Sequence, residues 1–267
     1  MKFNIYNRFA IKIIRKDNRW LAFRTGVGAR VPVEDLVVPA ELSESELIPF
    51  LDDMYHELAI PGRSIEQLDD NGTDSDLNGL IRLALSSGAS EAKIISPYDI
   101  PVDERLAEFC NPSQCESYGL SPSCPPHVSG PSGFRILQQN ALFALVLRIA
   151  VPSSALFSAE RREVFSLLHE STAGIEQTAA EMGYPASKAF AGGSCKKIFC
   201  NDHPVCRVLS EGGRCRYSQH ARPSMSGFGI DVSELMTICG WPSNIDIHAP
   251  EAKSDPMSWV AGLVLIG

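Results

Sequence analysis

The chain has 267 residues, of which 44% are hydrophobic and 21% charged, and its net charge is −8. This composition is typical of a globular protein with one large core or two smaller ones, and the acidic balance argues against nucleic acid as a partner. The longest apolar run, residues 141–151, is about half of the ~20 residues that a membrane-spanning helix needs, so no membrane association is expected.

The chain begins with a segment that predicts a small β module. Residues 3–14 alternate apolar and polar side chains, residues 16–19 supply a turn, and residues 20–23 return, which is typical of a hairpin. Ser43 and Glu46 then have the spacing of a capping box and predict a helix with apolar positions from residue 47 to 58. A hairpin and one helix bury little surface alone, so this module should pack on the rest of the chain or on a partner.

The domain organisation follows from a change in composition. Residues 1–65 form the N-terminal module, and residues 66–76 are polar, acidic and rich in turn formers, which predicts a linker. Residues 77–267 form the second domain. Residues 1–76 carry 9 basic and 14 acidic side chains and no cysteine, so we expect the module to be a docking or lid domain that takes no part in metal binding.

The second domain alternates helical and strand patterns. The expected elements are a helix over 77–87, a strand over 92–95, a strand over 141–151, a helix over 159–182, a strand over 186–191, a helix after Asp231 and a strand over 259–266. About four strands with intervening helices predict an α+β fold, or an α/β sandwich, with cysteine-rich loops at one edge.

Seven of the eight cysteines lie in two blocks. The first block is Cys110-x4-Cys115-x8-Cys124-Pro125-Pro126, and the second contains Cys195, Cys200, Cys206 and Cys215. Residues 1–8 form no secretory signal core, which predicts a cytoplasmic location where thiols stay reduced. Clustered cysteines in that compartment favour a metal site over a framework of four disulfides.

The spacing of the cysteines favours iron–sulfur over zinc. Structural zinc sites usually combine two close pairs, and no C-x2-C pair occurs here. A proline directly after a ligand cysteine, as after Cys124, is typical of bacterial ferredoxin motifs. The cofactor is therefore expected to be one or two [4Fe–4S] clusters, with zinc as the alternative.

Other residues near the blocks have less specific patterns. Cys239 lies in an apolar stretch and is expected in the core. His127, His203 and His220 adjoin the blocks but are more readily explained as exposed loop histidines than as ligands. From Lys188 to Arg222 there are seven basic and two acidic side chains. This charge could compensate thiolates, could attract an anionic ligand or partner, or could simply be a solvated loop.

Several separated motifs resemble one known family. They are the first block with Tyr118-Gly119, then Gly192-Gly193-x-Cys195, Cys206, Cys215-Arg216, Arg222-Pro223-Ser224-Met225 and Gly229-Ile230-Asp231-Val232. Over about residues 80–267 they resemble the uncharacterised bacterial and archaeal family of predicted metal-binding proteins, domain of unknown function 2284. The resemblance implies a metal site, commonly supposed to be iron–sulfur, without an assigned reaction. Residues 1–65 resemble a separate small domain of unknown function.

The resemblance also identifies candidate residues. The seven block cysteines become candidate metal ligands, and Tyr118 and Arg222 become candidate cofactor-binding residues. The chain departs from the family pattern at Cys195-x4-Cys200, where members usually have C-x2-C, so the role of Cys200 is open. Asp231 matches the motif and could equally cap the following helix.

These observations predict an iron–sulfur protein with a redox or electron-transfer role. Its partner would be a redox protein or a small-molecule substrate, and neither an enzymatic reaction nor an oligomeric state is indicated. The alternatives are a zinc-stabilised binding module and an accessory protein for metal handling. We expect the two blocks to meet in space, because the strand and helix between them form one crossover.

Overall fold

The computed structural model of the protein describes residues 1–6, 8–26, 29–33, 35–59, 61, 63–68, 70–241 and 255–267. The fold is mixed α+β and contains two antiparallel sheets. The first sheet has the strand order β4-β3-β2-β1-β5, with β1 at Lys2–Ile5, β2 at Phe9–Lys16, β3 at Arg19–Gly26, β4 at Ala29–Pro32 and β5 at Glu66–Leu68.

The N-terminal hairpin forms with one more turn than the sequence predicts. β2 and β3 are joined at Asp17 and Asn18, whose φ angles of 50° and 58° suit the left-handed turn of a tight hairpin. The expected single strand over 3–14 is wrong, because the chain reverses after Tyr6, which has a φ of 48°, and β1 then pairs with β2. Alternation of side chains cannot reveal a turn inside a strand pattern.

The helix expected after residue 43 is α1 at Leu47–Tyr55, and it is preceded and followed by single 3-10 turns. The backbone N–H of Ser43 donates to Glu46 at 2.8 Å, which is one half of the expected capping box. Leu47 and Leu51 of α1 are fully buried in the core of the first sheet with Phe3. The N-terminal domain therefore has a hydrophobic core of its own.

The second domain is built on a four-stranded sheet in the order β6-β7-β9-β8. Its strands are β6 at Glu91–Ile95, β7 at Phe143–Pro152, β8 at Lys188–Phe190 and β9 at Met257–Ile266. Its helices are α2 at Asp70–Ser86, α3 at Glu104–Ala107, α4 at Gly130–Asn140, α5 at Ser153–Phe157, α6 at Arg161–Glu181, α7 at Cys195–Phe199, α8 at Arg207–Glu211 and α9 at Val232–Ile238.

Helices cover both faces of this sheet. Leu145 and Leu147 of β7 belong to the core shared with α2 and α6, whereas Val146 belongs to the core shared with α4 and α9. Side chains alternate between faces along a strand, so a strand buried on both faces is apolar throughout. This arrangement explains why the apolar run over 141–151 predicts a buried strand correctly.

The segment 66–76 is more ordered than a linker. Residues 66–68 form β5, which pairs with β1, and α2 begins at Asp70; residue 69 lies outside the described residues. Leu77 and Leu80 of α2 are buried in the core of the second domain. The polar composition of the segment predicts a linker because a short edge strand and the first turn of a helix both tolerate exposed polar residues, so composition does not distinguish them from a linker.

The two domains touch near the junction of α4 and β7. The Lys2 ammonium lies 5.7 Å from the centre of the Phe143 ring, and Arg63 donates a hydrogen bond to Asn140. The cysteine loops instead follow α3 and β8. These contacts do not support the expected lid over the basic cysteine block, and that role stays a prediction.

Candidate metal centre

The first cysteine block is a series of turns between α3 and α4. Asn111 stabilises it, because its side-chain oxygen accepts hydrogen bonds from the backbone N–H groups of Ser113 and Gln114 at 2.9 and 3.1 Å. Cys110 interacts electrostatically with both Cys115 and Cys124. The three thiols of the block are therefore neighbours.

The second block begins where β8 ends against α6. A side chain at Gly192 would place its Cβ 2.8 Å from Cε1 of Phe165 on α6, and Gly193 has a φ of +73°. Both positions therefore require glycine, for close approach and for backbone conformation respectively. The double glycine allows the chain to turn directly from β8 into α7, which starts at Cys195.

The other thiols of the second block lie at the ends of short helices and in turns. Cys200 ends α7, Cys206 precedes α8, and the Cys200 thiol interacts electrostatically with Cys215 and Cys206. The Lys196 ammonium donates to the carbonyls of Cys200 and His203 at 2.9 and 2.7 Å. Lys196 thus stabilises the backbone of the loop that carries these thiols.

The two blocks meet, as the sequence predicts. The Cys124 thiol donates to Ser194 Oγ at 3.5 Å, and Cys195 interacts electrostatically with Cys124 and with Cys215. An ion pair of 3.0 Å joins Lys197 to Glu116. Cys195 therefore lies between the first block and the rest of the second.

Burial favours the protonated form of three of these thiols in the metal-free protein. It raises the pKa of Cys110, Cys195 and Cys200. The hydroxyls of Ser121 and Ser123 act in the opposite direction on Cys195. Thiolates are the metal-binding form, so a metal would have to displace protons from these side chains.

The thiols are neighbours without converging on one point. Within the ranges 1–241, apart from the short gaps given above, and 255–267, no group of three or more His, Cys, Asp or Glu side chains is arranged to hold a single metal ion.

Arg222 lies beside the second block, whereas Tyr118 belongs to the first. Arg222 is buried and forms an ion pair with Glu176 of α6 at 2.5 Å. Its Nη1 donates to the carbonyls of Ser218 and Ala221. Tyr118 is half-buried in the turn after Cys115, and its backbone N–H donates to the Cys115 carbonyl at 3.0 Å. Whether either residue binds a cofactor stays a prediction.

The remaining candidates have structural explanations. Cys239 is buried in the core, and burial raises its pKa to about 11, which confirms that it is a core thiol. The Asp231 carboxylate accepts from the backbone N–H of Glu234 at 3.0 Å and so caps α9. His127 is exposed, while His203 and His220 are half-buried.

His169 is a buried residue that contacts the segments on both sides of the second block, and the sequence pattern did not predict this role. It is fully buried on α6, its Nε2 contacts the Gly192 carbonyl at 3.0 Å, and its Nδ1 accepts from the backbone N–H of Arg222 at 3.0 Å. A neutral ring with its proton on Nε2 satisfies both contacts. Seven residues later on α6, Glu176 accepts from the backbone N–H of Ala189 at 2.8 Å and pairs with Arg222. One face of α6 therefore positions both ends of the second block.

The stability of the fold should fall as His169 is forced to accept a proton. Burial lowers its pKa from 6.5 to about 4, and the Arg222 guanidinium acts in the same direction. The unfolded chain then binds a proton below pH 6.5 that the folded chain does not bind until about pH 4. We expect about 3 kcal/mol of unfolding free energy to be lost over this interval because of His169.

Denaturant unfolding of the metal-free protein at pH 7 and pH 4 measures this loss. In His169→Gln the pH-dependent part of the stability should shrink by that amount, whereas His127→Gln, at an exposed side chain, should behave like the unmodified protein. Equal pH dependence in all three proteins would contradict the buried neutral state of His169.

A cavity of about 520 Å³ opens beside the second block. Its walls combine four thiols with charged and apolar side chains, and they include Ser121, Val128, Glu176, Lys188, Cys195, Phe199, Cys200, Cys206, Cys215, Arg222 and Phe228. The volume lies in the range of pockets that bind small molecules.

Two family models match the chain. The model described as "Predicted metal-binding protein (DUF2284)" matches residues 93–266, and the model described as "Domain of unknown function (DUF7661)" matches residues 1–69. These matches confirm the resemblance drawn from the cysteine motifs. No curated protein and no solved structure matches the chain. Among the described helices, none has the length and apolar character needed to cross a membrane.

Proposed function

Because the chain belongs to the family of predicted metal-binding proteins, we propose that its two cysteine blocks together bind an iron–sulfur cluster with a redox role. The ligands of a [4Fe–4S] cluster would be Cys110, Cys115, Cys124 and Cys195. The observation that carries this proposal is the contact between the blocks, where the Cys124 thiol donates to Ser194 Oγ at 3.5 Å, directly beside Cys195. Four neighbouring thiols then come from two segments of one domain.

The arrangement of the thiols favours a cluster over a single ion. Each cysteine of a [4Fe–4S] cluster binds a different iron, so the sulfur atoms surround a cage and do not converge on one position. One zinc ion instead needs its sulfur ligands at about 2.3 Å from a common centre. The x4 and x8 spacings of the first block, in a chain without a C-x2-C pair, fit the first case better.

The surroundings of the thiols also suit a cluster. The basic side chains between Lys188 and Arg222 would offset the negative charge of several thiolates. Cys200, Cys206 and Cys215 remain as a neighbouring group and could serve a second cluster. A cluster supplies one-electron chemistry when bound, and the protein residues hold it, tune it and control solvent access.

Anaerobic reconstitution of the full chain with iron, sulfide and zinc in competition tests the proposal. We expect about four iron and four acid-labile sulfide per chain for one cluster, or about eight of each for two, with broad absorption near 400 nm. Electron paramagnetic resonance of the reduced protein identifies the cluster type. Stoichiometric zinc without acid-labile sulfide would contradict the proposal and favour a zinc-stabilised domain.

A further inference from the structure

The loops of the second cysteine block present a group of exposed apolar side chains. Val205, Leu209 and Tyr217 are 54%, 39% and 36% exposed. Val205 precedes Cys206, and the backbone N–H of Leu209 donates to the Cys206 carbonyl at 3.1 Å. Cys206 and Tyr217 line the same cavity, so the three side chains belong to one region of the surface. Exposed apolar residues that are grouped in this way are typical of an interaction site.

The same loops carry positive charge that has no partner within the chain. Residues 196–216 contain five basic and two acidic side chains, in a protein whose net charge is −8. Lys197 and Arg207 are each paired with a glutamate, at 3.0 and 3.6 Å. Arg214 and Arg216 are exposed and take part in none of the ion pairs found among the described residues. Two guanidinium groups are therefore available to an acidic partner.

We call Val205, Leu209, Arg214, Arg216 and Tyr217 the second-block surface. The Tyr217 ring is held in place, because it stacks on the Phe199 ring with the two ring centres 5.2 Å apart. Tyrosine and arginine are enriched in protein interfaces, whereas a solvated basic loop has no need of exposed apolar side chains. This composition favours a protein as the occupant of the surface.

The second-block surface also adjoins the proposed cluster. Cys215 lies between Arg214 and Arg216, is half-buried, and lines the same cavity as Cys195, which is one of the proposed ligands. A protein docked on this surface would therefore lie close to the cluster. A small charged contact area of this kind is typical of the transient complexes that transfer electrons.

We infer that the second-block surface docks a small acidic protein that carries one electron, and that this electron passes to or from the cluster. The carrier is oxidised by one electron as the cluster is reduced by one, or the reverse, and no bond forms or breaks. The electron-transfer step rests on the proposed function, whereas the docking rests on the charge and exposure of the surface alone.

Chemical-shift titration of ¹⁵N-labelled oxidised flavodoxin, an acidic one-electron carrier, with the reconstituted full chain tests the docking. Cytochrome c, a small basic carrier, is the comparison. At about 20 mM salt flavodoxin should bind at least about tenfold more tightly than cytochrome c, and its affinity should fall at least about tenfold at about 500 mM salt. Equal affinity for the two carriers, or affinity that does not change with salt, would overturn the inference.

Matched variants locate the contact. Arg214→Gln and Arg216→Gln should each weaken flavodoxin binding by about two- to fivefold at low salt, because each removes one exposed charge. Arg19→Gln makes the same change at an exposed position in the N-terminal domain and should leave the affinity unchanged. The rate constant for reduction of the cluster by flavodoxin hydroquinone, followed by absorption, should fall by the same factors. Unchanged affinity in both Arg214→Gln and Arg216→Gln would show that the surface is not the docking site.

A basic surface can also attract nucleic acid, and fluorescence anisotropy with a labelled single strand of about 20 nucleotides tests this outcome. The strand should bind more weakly than flavodoxin at the same salt concentration. Tighter binding of the strand, weakened by Arg214→Gln and Arg216→Gln, would assign the surface to nucleic acid and overturn the inference.

Iron and sulfide measured on the same samples separate this inference from the proposed function. Flavodoxin binding that follows these expectations in protein that reconstitutes without iron would support the docking surface and disprove the cluster. Full iron content without preferential binding of flavodoxin would disprove the docking surface alone.

Discussion

A chain with Cys195→Ala is expected to lose its iron, while a chain with Cys239→Ala keeps it. Cys195 interacts with both Cys124 and Cys215, so its removal takes from the proposed ligand set the one thiol that the second block supplies. Loss of a direct ligand should lower cluster affinity by more than the 10–100-fold typical of residues that only orient ligands, so we expect a loss above about 100-fold. The measurement is iron and sulfide per chain after identical anaerobic reconstitution.

Two controls make this result specific. Cys239→Ala removes a thiol of similar burial from the core of the second domain, and any loss of iron caused by destabilisation alone should appear there as well. Cys215→Ala removes a thiol from the second group only, and it should retain one cluster if Cys110, Cys115, Cys124 and Cys195 form a complete ligand set. Retention of all iron by Cys195→Ala would disprove the joint site.

The sheet of the second domain could be predicted because burial on both faces leaves a strong pattern. The apolar run of β7 is typical of a strand buried on both faces, and the apolar positions of α6 have helical spacing. The turn after Tyr6 and the strand β5 could not be predicted in this way. Both are short and depend on pairing with β1, which lies far from β5 in sequence.

The sequence predicts the thiols of the candidate site but not the residues that position them. Cysteine clusters are rare, so their spacing is informative, and their meeting follows from a single crossover. His169 and Glu176 lie on a helix whose neighbouring positions are apolar, and nothing in the sequence says that they face Gly192 and Arg222. The feature that could have pointed to them is their spacing: a histidine and a glutamate seven residues apart, two turns of a predicted helix, lie on the same face of that helix.

Replacing Glu176 by alanine should be among the most destabilising single changes in the second domain. The change leaves the Arg222 guanidinium buried without its carboxylate, and it removes the acceptor of the Ala189 N–H. Breaking one half of a buried ion pair costs roughly 3–5 kcal/mol. Denaturant unfolding of the metal-free protein at pH 7 should show a loss of that size.

The matched control is Glu181→Ala, which changes an exposed carboxylate near the end of the same helix. This change should alter the free energy of unfolding by less than about 0.5 kcal/mol. Glu176→Gln separates charge from hydrogen bonding, because the amide oxygen can still accept from Ala189 while the ion pair is lost. It should therefore fall between the unmodified protein and Glu176→Ala. A loss below about 1 kcal/mol in Glu176→Ala would mean that Arg222 moves to solvent, and the positioning of the second block by α6 would then be wrong.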